Sequence, residues 1–284
     1  MFEKMKKLFA VLLLAAFLPA LAAFSLPDDG RRIITLNGDS VEFTGSGISV
    51  SGTQITLTET GEYYVTGTLN DGTIFINTGA STEKISLILD SASITCLSGP
   101  AIYVQQAEKL RLCMAEGTEN TIISGTPDMA DTFDDSRSGG AIFAEDDMDI
   151  KGPGSLTVYG YINNGVHCKD DIDVDGGTVT INAVNNGIRG SESVELNDGT
   201  LNITCGNDGL KATSLKTGKG YVEINGGITS IACEGDGISA STDVIVTGGR
   251  TEILAGKDTV KYGGTIHVLS GELIENGTTH PLTN

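Results

Sequence analysis

Asn164-Gly165-Val166-His167-Cys168-Lys169-Asp170-Asp171-Ile172-Asp173-Val174-Asp175-Gly176-Gly177-Thr178-Val179-Thr180-Ile181 decides the fold, because its pattern returns down the chain. Asn186-Gly187-Ile188-Arg189 opens a second copy, Asp208-Gly209-Leu210-Lys211 a third, Asp236-Gly237-Ile238-Ser239 a fourth and Asp258-Thr259-Val260-Lys261 a fifth. The glycines are 22, 22 and 28 residues apart, and Thr259 stands where the next would fall after another 22. Repeats of this length, each too small to bury a core alone, read as coils of a solenoid.

From Pro100 onward each repeat divides into three short strands. Inward positions alternate with outward ones: Val166/Cys168 and Ile188/Gly190 on strand one, Ile172/Val174 and Val194/Leu196 on strand two, Val179/Ile181 and Leu201/Ile203 on strand three. Period-two alternation buries every other side chain. Coils returning in the same direction and stacked about 4.8 Å apart build apolar columns, so the predicted class is all-β, a parallel β-helix. About ten coils give a rod of roughly 45 Å at that spacing. From Arg31 to about Leu97 the alternation reads as short strands between turns. Thirty-eight glycines and no tryptophan fit the same class. Thr126 to Asp135 reads as a projecting loop, and Thr213 to Gly220 as a smaller one.

Residues 1–22 have the order of a secretory signal peptide: Lys4, Lys6 and Lys7, an apolar run from Leu8 to Leu18, then Ala20-Leu21-Ala22. The run is shorter than the roughly 20 residues of a spanning helix. One secreted domain over 23–284 is therefore expected, outside the cell or at its surface. With 18 Lys and Arg against 37 Asp and Glu, a net charge of −19, the surface repels phosphate backbones and anionic membranes and attracts cations. Nucleic acid is excluded as a partner. The five cysteines have no C-x-x-C spacing and are odd in number, so they do not make a disulfide scaffold.

Two outward columns carry candidate chemistry. On strand one, Tyr103, Phe143, His167, Arg189, Lys211, Ser239 and Lys261 follow one another, aromatic and then basic. Aromatic faces stack on pyranose rings, and Arg and Lys pair with uronate carboxylates; the alternative is a set of solvated side chains balancing nearby acids. On strand two, Asp149, Asp173, Glu195 and Glu223 stack, with Asp147, Asp170, Asp171 and Glu192 in the preceding turns. Carboxylates about 4.8 Å apart repel by about 1 kcal/mol in water and about 3.5 at an effective dielectric of 20. Ca²⁺ is the extracellular neutraliser, with a hydrated acidic face beside Lys151 and Lys169 as the alternative. In the turn before strand one, Asn164 and Asn186 suit a hydrogen-bonded ladder, while Asp208, Asp236 and Asp258 are candidates for a second cation site. Cys205 and Cys233 share a column position and are expected as buried thiols.

Ser98-Gly99-Pro100-Ala101-Ile102-Tyr103, Ser138-Gly139-Gly140-Ala141-Ile142-Phe143, Gly154-Ser155-Leu156-Thr157-Val158 and Asn186-Gly187-Ile188-Arg189-Gly190, with the Asp-Gly-Ile type coil openings, resemble a family of secreted bacterial carbohydrate-binding domain-containing proteins. These are right-handed parallel β-helices akin to pectate lyases. The resemblance runs from about Lys84 to Val268. It implies calcium binding and affinity for plant cell-wall polysaccharides, cellulose and acidic pectic chains such as polygalacturonate, without established catalysis. Asn164-Gly165, Asn186-Gly187 and Asp258-Thr259 depart from the family's Asp-Gly. A calcium-dependent polysaccharide lyase using Arg189 and Lys211, and a purely structural surface protein, remain alternatives. Against a hydrolase, no paired carboxylates flank the strand-one column.

Overall fold

The structure, a computed structural model, describes residues 30–80, 82–132 and 139–283. The expected leader lies outside them. Among the described residues no helix is long and apolar enough to cross a membrane.

The alternation folds as expected. Strand-one residues Val166, Ile188, Leu210, Ile238 and Val260 are successive parallel partners, and all but Val260 are fully buried. The strand-two series Met148, Ile172, Val194, Val222 and Val244 and the strand-three series Leu156, Val179, Leu201, Thr229 and Thr251 are likewise buried. Fully burying an aliphatic side chain is worth about 1.5–3 kcal/mol, so stacking supplies what one coil lacks. The inward series ends at Tyr262, which is 42% exposed.

The residues before Pro100 form the first coils of the same solenoid. Ile55, Ile74 and Ile102 share one column, and Ile34, Val65 and Leu89 another. Nine parallel strand-one rungs, from Gln54–Leu57 to Val260–Tyr262, are present among the described residues. The repeat is hard to see there because the turns differ in length while the inward positions keep their period. Strands two and three also run together in places, as Asp171–Ala183 and Ser193–Cys205. The bend in the first falls at Gly176-Gly177, where the register shifts. Gly177 has φ +77°, and a Cβ there would lie 2.6 Å from the Gly152 carbonyl oxygen.

The glycine that opens each coil is needed for a different reason. A Cβ on Gly165 would lie 2.2 Å from Cγ2 of Ile181, the strand-three residue of its own coil, and Gly187, Gly209 and Gly237 meet Ile203, Ile231 and Ile253 in the same way. In the last coil Glu275 stands in the isoleucine column. There Thr259 replaces glycine, and its hydroxyl donates to the Glu275 carboxylate.

Antiparallel hairpins close the ends: Val41–Thr44 lies on Arg32–Gly38, Ile48–Ser51 on Gln54–Leu57 and Thr278–Thr279 on Glu272–Glu275. Each covers part of a sheet edge that would otherwise template another chain. The expected loop begins with a 3-10 helix, Pro127–Thr132. All five cysteines are free thiols; Cys205 and Cys233 are register partners, Cys205 buried and Cys233 partly so.

Candidate functional site

Parallel register brings the strand-one candidates into one column: Phe75, Tyr103, Phe143, His167, Arg189, Lys211, Ser239 and Lys261 are consecutive partners. Its aromatic part is a ring stack along the solenoid axis. Tyr103 and Phe143 lie 5.3 Å apart with planes 7° from parallel, and Phe143 and His167 5.0 Å apart. The ring faces are thus used on one another, leaving edges outward, and Phe143 and His167 are only 7% and 5% exposed. Lys169 Nζ sits 5.6 Å from the Phe143 centroid and 2.5 Å from Glu145.

Burial, with Arg189 and Lys169 nearby, pushes the His167 pKa down to about 4 against an opposing hydrogen bond with the Gly139 backbone. His167 is therefore a neutral ring at physiological pH, not the first base of a cationic run. Lys211 Nζ donates to Asp208 at 2.7 Å, and Lys261 Nζ to Asp236 at 3.1 Å. For these two lysines the charge-balancing alternative describes the contacts. Arg189 differs: it has no ion-pair partner among the described residues, and its buried Nε makes no hydrogen bond.

The strand-two acids also align, Asp149 with Asp173 and Asp173 with Glu195 and Glu195 with Glu223. Lys109, which sequence reasoning passed over, reaches Asp149 at 2.7 Å and Asp173 at 3.2 Å. Arg111 and Lys151 add contacts to Asp149 at 3.7 and 3.5 Å. Burial works to raise the Asp149 carboxyl, but the Lys109 hydrogen bond and charge outweigh it and hold the group below the usual range. Asp173 has the longer bond and lies beside Glu195 and Asp149; burial first, then those charges, lift it to about 6. In the adjoining turn Lys219 bridges Asp171 at 2.5 Å and Glu192 at 3.0 Å, and Lys216 also holds Glu192. Tyr221 donates to Glu195 at 2.5 Å. Reading the alternation one coil earlier, at Lys109-Leu110-Arg111, would have found the first of these bases. Lys219 comes from the smaller loop, whose folding back leaves no periodic signal.

Among the described residues Asp147 and Asp170 make no ion pair with an ammonium group. With Asp146, Gln106, Ala107 and Glu108 they line a depression of about 300 Å³. Burial raises both carboxyls, and at Asp170 the charges of Glu192, Asp147 and Asp146 add to it. Among the described residues no three His, Cys, Asp or Glu side chains converge closely enough to hold a metal ion as they stand. The acids fit a cation only if side chains at this depression turn inward.

The turn before strand one is a double ladder. Asn185 donates to Asn163 and Asn207 to Asn185, while Asn186 donates to Asn164 at 2.7 Å. Asp208 and Asp236 continue the second row: one oxygen of each accepts the backbone N–H of the next rung, at 2.9 and 3.2 Å, and the other accepts a lysine. Both carboxylates are therefore engaged in holding coils together. Asp258 is exposed.

Nine parallel strand-one rungs with stacked outward columns define the class of parallel β-helix solenoids. The family model for carbohydrate-binding domain-containing proteins matches residues 51–279, and the chain belongs to that family. A carbohydrate-binding domain-containing protein of Acetivibrio thermocellus is 34% identical over 148 residues, 52% of this chain and 50% of the relative; the chain thus spans about half the length of that curated relative. Among solved structures, the polysaccharide lyase-like protein from C. thermocellum, in a gadolinium derivative, superposes with a TM-score of 0.77 at 32% identity, covering 83% of this chain and 96% of that one.

Proposed function

We propose that the protein is a secreted, non-catalytic polysaccharide-binding protein that holds acidic cell-wall chains of the polygalacturonate type along its strand-one column. The observation that carries this reading is Arg189, a guanidinium with no ion-pair partner among the described residues and a buried Nε without a hydrogen bond, in a chain of net charge −19. A planar guanidinium matches a carboxylate bidentately, and His167 and Lys211 occupy the rungs on either side of it in the column. A lyase reading needs a side chain free to accept the C5 proton. Lys211, the candidate next to Arg189, is already donating to Asp208.

Calcium belongs to the same proposal. Its place is the Asp147 and Asp170 depression, where neither carboxylate is ion-paired among the described residues and burial raises both carboxyls. Arg189→Ala should weaken affinity for polygalacturonate by about tenfold or more, the scale of one lost charge-assisted pair, with an unchanged melting temperature. Affinity electrophoresis reads the effect. Equal affinity of variant and wild type would remove the uronate-binding assignment.

A further inference from the structure

Five cysteines are spread over the coils, and one pair of them meets. Cys205 ends the strand Ser193–Cys205, Cys233 ends Ile228–Cys233, and the two are register partners on neighbouring parallel strands. Both pack against the core, two residues beyond Ile203 and Ile231. The same column position holds Gly160 and Ala183 in the coils before and Ala255 in the coil after, so the core there asks only for a small side chain. Cys96, further up the column, pairs with Ser124. Cys113 lies between Ile88 and Lys151, and Cys168 between Ala144 and Gly190. Two thiols on adjacent rungs are therefore a local feature that packing does not require.

Burial raises the thiols of Cys113 and Cys168. At the pair, the interaction between the two thiols comes first: it raises Cys205, with burial adding to it, and lowers Cys233 against the pull of burial. The outward row of strand three, Thr121, Thr157, Thr180, Asn202 and Ser230, carries no charge, so the lowering at Cys233 comes from its partner thiol and not from a neighbouring cation. Access follows the same division. Cys205 is buried yet lines an open groove of about 300 Å³ with Tyr161, Thr204 and Glu234, while Cys233 is partly exposed. We propose that Cys205 and Cys233 form a thiol–disulfide exchange site, which takes a small disulfide as its reactant and closes to a bond between coils.

Neighbouring parallel strands lie about 4.8 Å apart, within the Cα separation of roughly 4.4–6.8 Å that a disulfide spans. Stacked Cβ atoms share that spacing and must close to about 3.8 Å when the bond forms. A bond made under strain is one that reduction reopens, so the site suits reversible oxidation more than a permanent staple. Its lower pKa and greater exposure make Cys233 the attacking thiolate. The Cys233 sulfur attacks one sulfur of R–S–S–R, the Cys233–S–S–R bond forms, and RS⁻ leaves and takes a proton from water. Cys205 then loses its proton to solvent as its sulfur attacks that of Cys233, and the second RS⁻ is expelled and protonated. Two electrons pass from the dithiol to the small disulfide, which ends as two thiols. Glu234 at the groove and the charges of Asp208 and Asp236 near Cys233 favour a positively charged reactant such as cystamine. Nothing in this site depends on the polysaccharide reading.

The test uses the full chain, reduced and then freed of reductant, with cystamine as the oxidant and intact-mass and peptide analysis as the readout. Wild type should lose two hydrogens and yield one linked peptide pair carrying Cys205 and Cys233, with Cys96, Cys113 and Cys168 unmodified. Cys205→Ala, which places in the column the residue of neighbouring coils, should stop at a mixed disulfide on Cys233. In Cys233→Ala, modification of Cys205 should be slower than that of Cys233 in the other variant by about tenfold or more, as expected of a buried, protonated thiol. Melting temperatures close to wild type show that both variants fold. Phenylarsine oxide, which needs two adjacent thiols, should bind native wild type one to one and neither variant. A wild type that keeps its thiols under cystamine while its urea-unfolded chain is oxidised overturns the proposal. So does modification spread over all five cysteines, a bond to any other cysteine, or phenylarsine oxide binding that survives in both variants. Equal rates in the two variants overturn the assignment of Cys233 as the attacking thiol.

Discussion

At His167 the neighbours set the charge. A histidine with a folded pKa near 4 against about 6.5 when unfolded binds fewer protons in the folded state between those values. Stability from this residue is therefore complete above pH 6.5 and lost as pH falls toward 4. The full shift corresponds to about 3 kcal/mol. His167→Phe extends the ring stack without a titrating group, so its melting temperature should fall less than that of wild type between pH 7 and pH 4.5. Parallel pH dependence of the two proteins would show that the imidazole is not the responsible group. The sequence reveals the column position of His167 through its two-residue period. It does not reveal the covering of its ring by Phe143 and the Gly139 backbone, because that depends on how the chain enters the preceding coil.

At the scale of the strand-two ladder, one side chain pins two rungs. Lys109 is the mostly buried cation between Asp149 and Asp173; removing it leaves Asp173 without its ion pair and Asp149 with only the longer contacts to Arg111 and Lys151, and breaking a buried pair costs roughly 3–5 kcal/mol. Lys109→Met should destabilise the protein by about 3 kcal/mol at pH 7 in chemical denaturation, and adding Asp149→Asn should recover part of it. Asp173, held up near pH 6, binds more protons folded than unfolded between about 4 and 6, so its burden on stability eases as pH falls through that window. The Lys109→Met deficit should shrink at pH 5. A deficit constant from pH 7 to pH 5 would contradict this account. Sequence periodicity located Asp149, Asp173 and Glu195 in one column. Their neutralisation was hidden because Lys109 belongs to an earlier coil, and Lys219 to a loop outside the repeat.

Over the whole solenoid, the same apolar columns support three outer surfaces of different character: ring stack passing into bases, paired acids, and neutral hydroxyls. Two were visible in the sequence because charge and aromaticity stand out. The third drew no attention, since threonine and asparagine on an outward strand position are ordinary one at a time, and only the register shows them aligned. Calcium at the Asp147 and Asp170 depression would act on the whole fold by binding the native state alone. At a free concentration of 100 times its Kd, an ion adds about 2.7 kcal/mol. For a domain of this size that is about 5–10 °C in melting temperature. Chelation should lower the melt by that amount and restored Ca²⁺ should reverse it; identical melts with and without chelator would exclude a stabilising ion.

The contact between each opening glycine and the isoleucine of its own coil has a further meaning. Gly165 with Ile181, Gly187 with Ile203, Gly209 with Ile231 and Gly237 with Ile253 are each contained within a single turn of chain, and where the isoleucine column holds Glu275 the glycine has become Thr259. The steric match therefore travels with the coil, so duplicating or excising one complete turn conserves it, whereas a cut inside a turn separates its two halves. Such a chain can change length by whole turns without having to invent a new core.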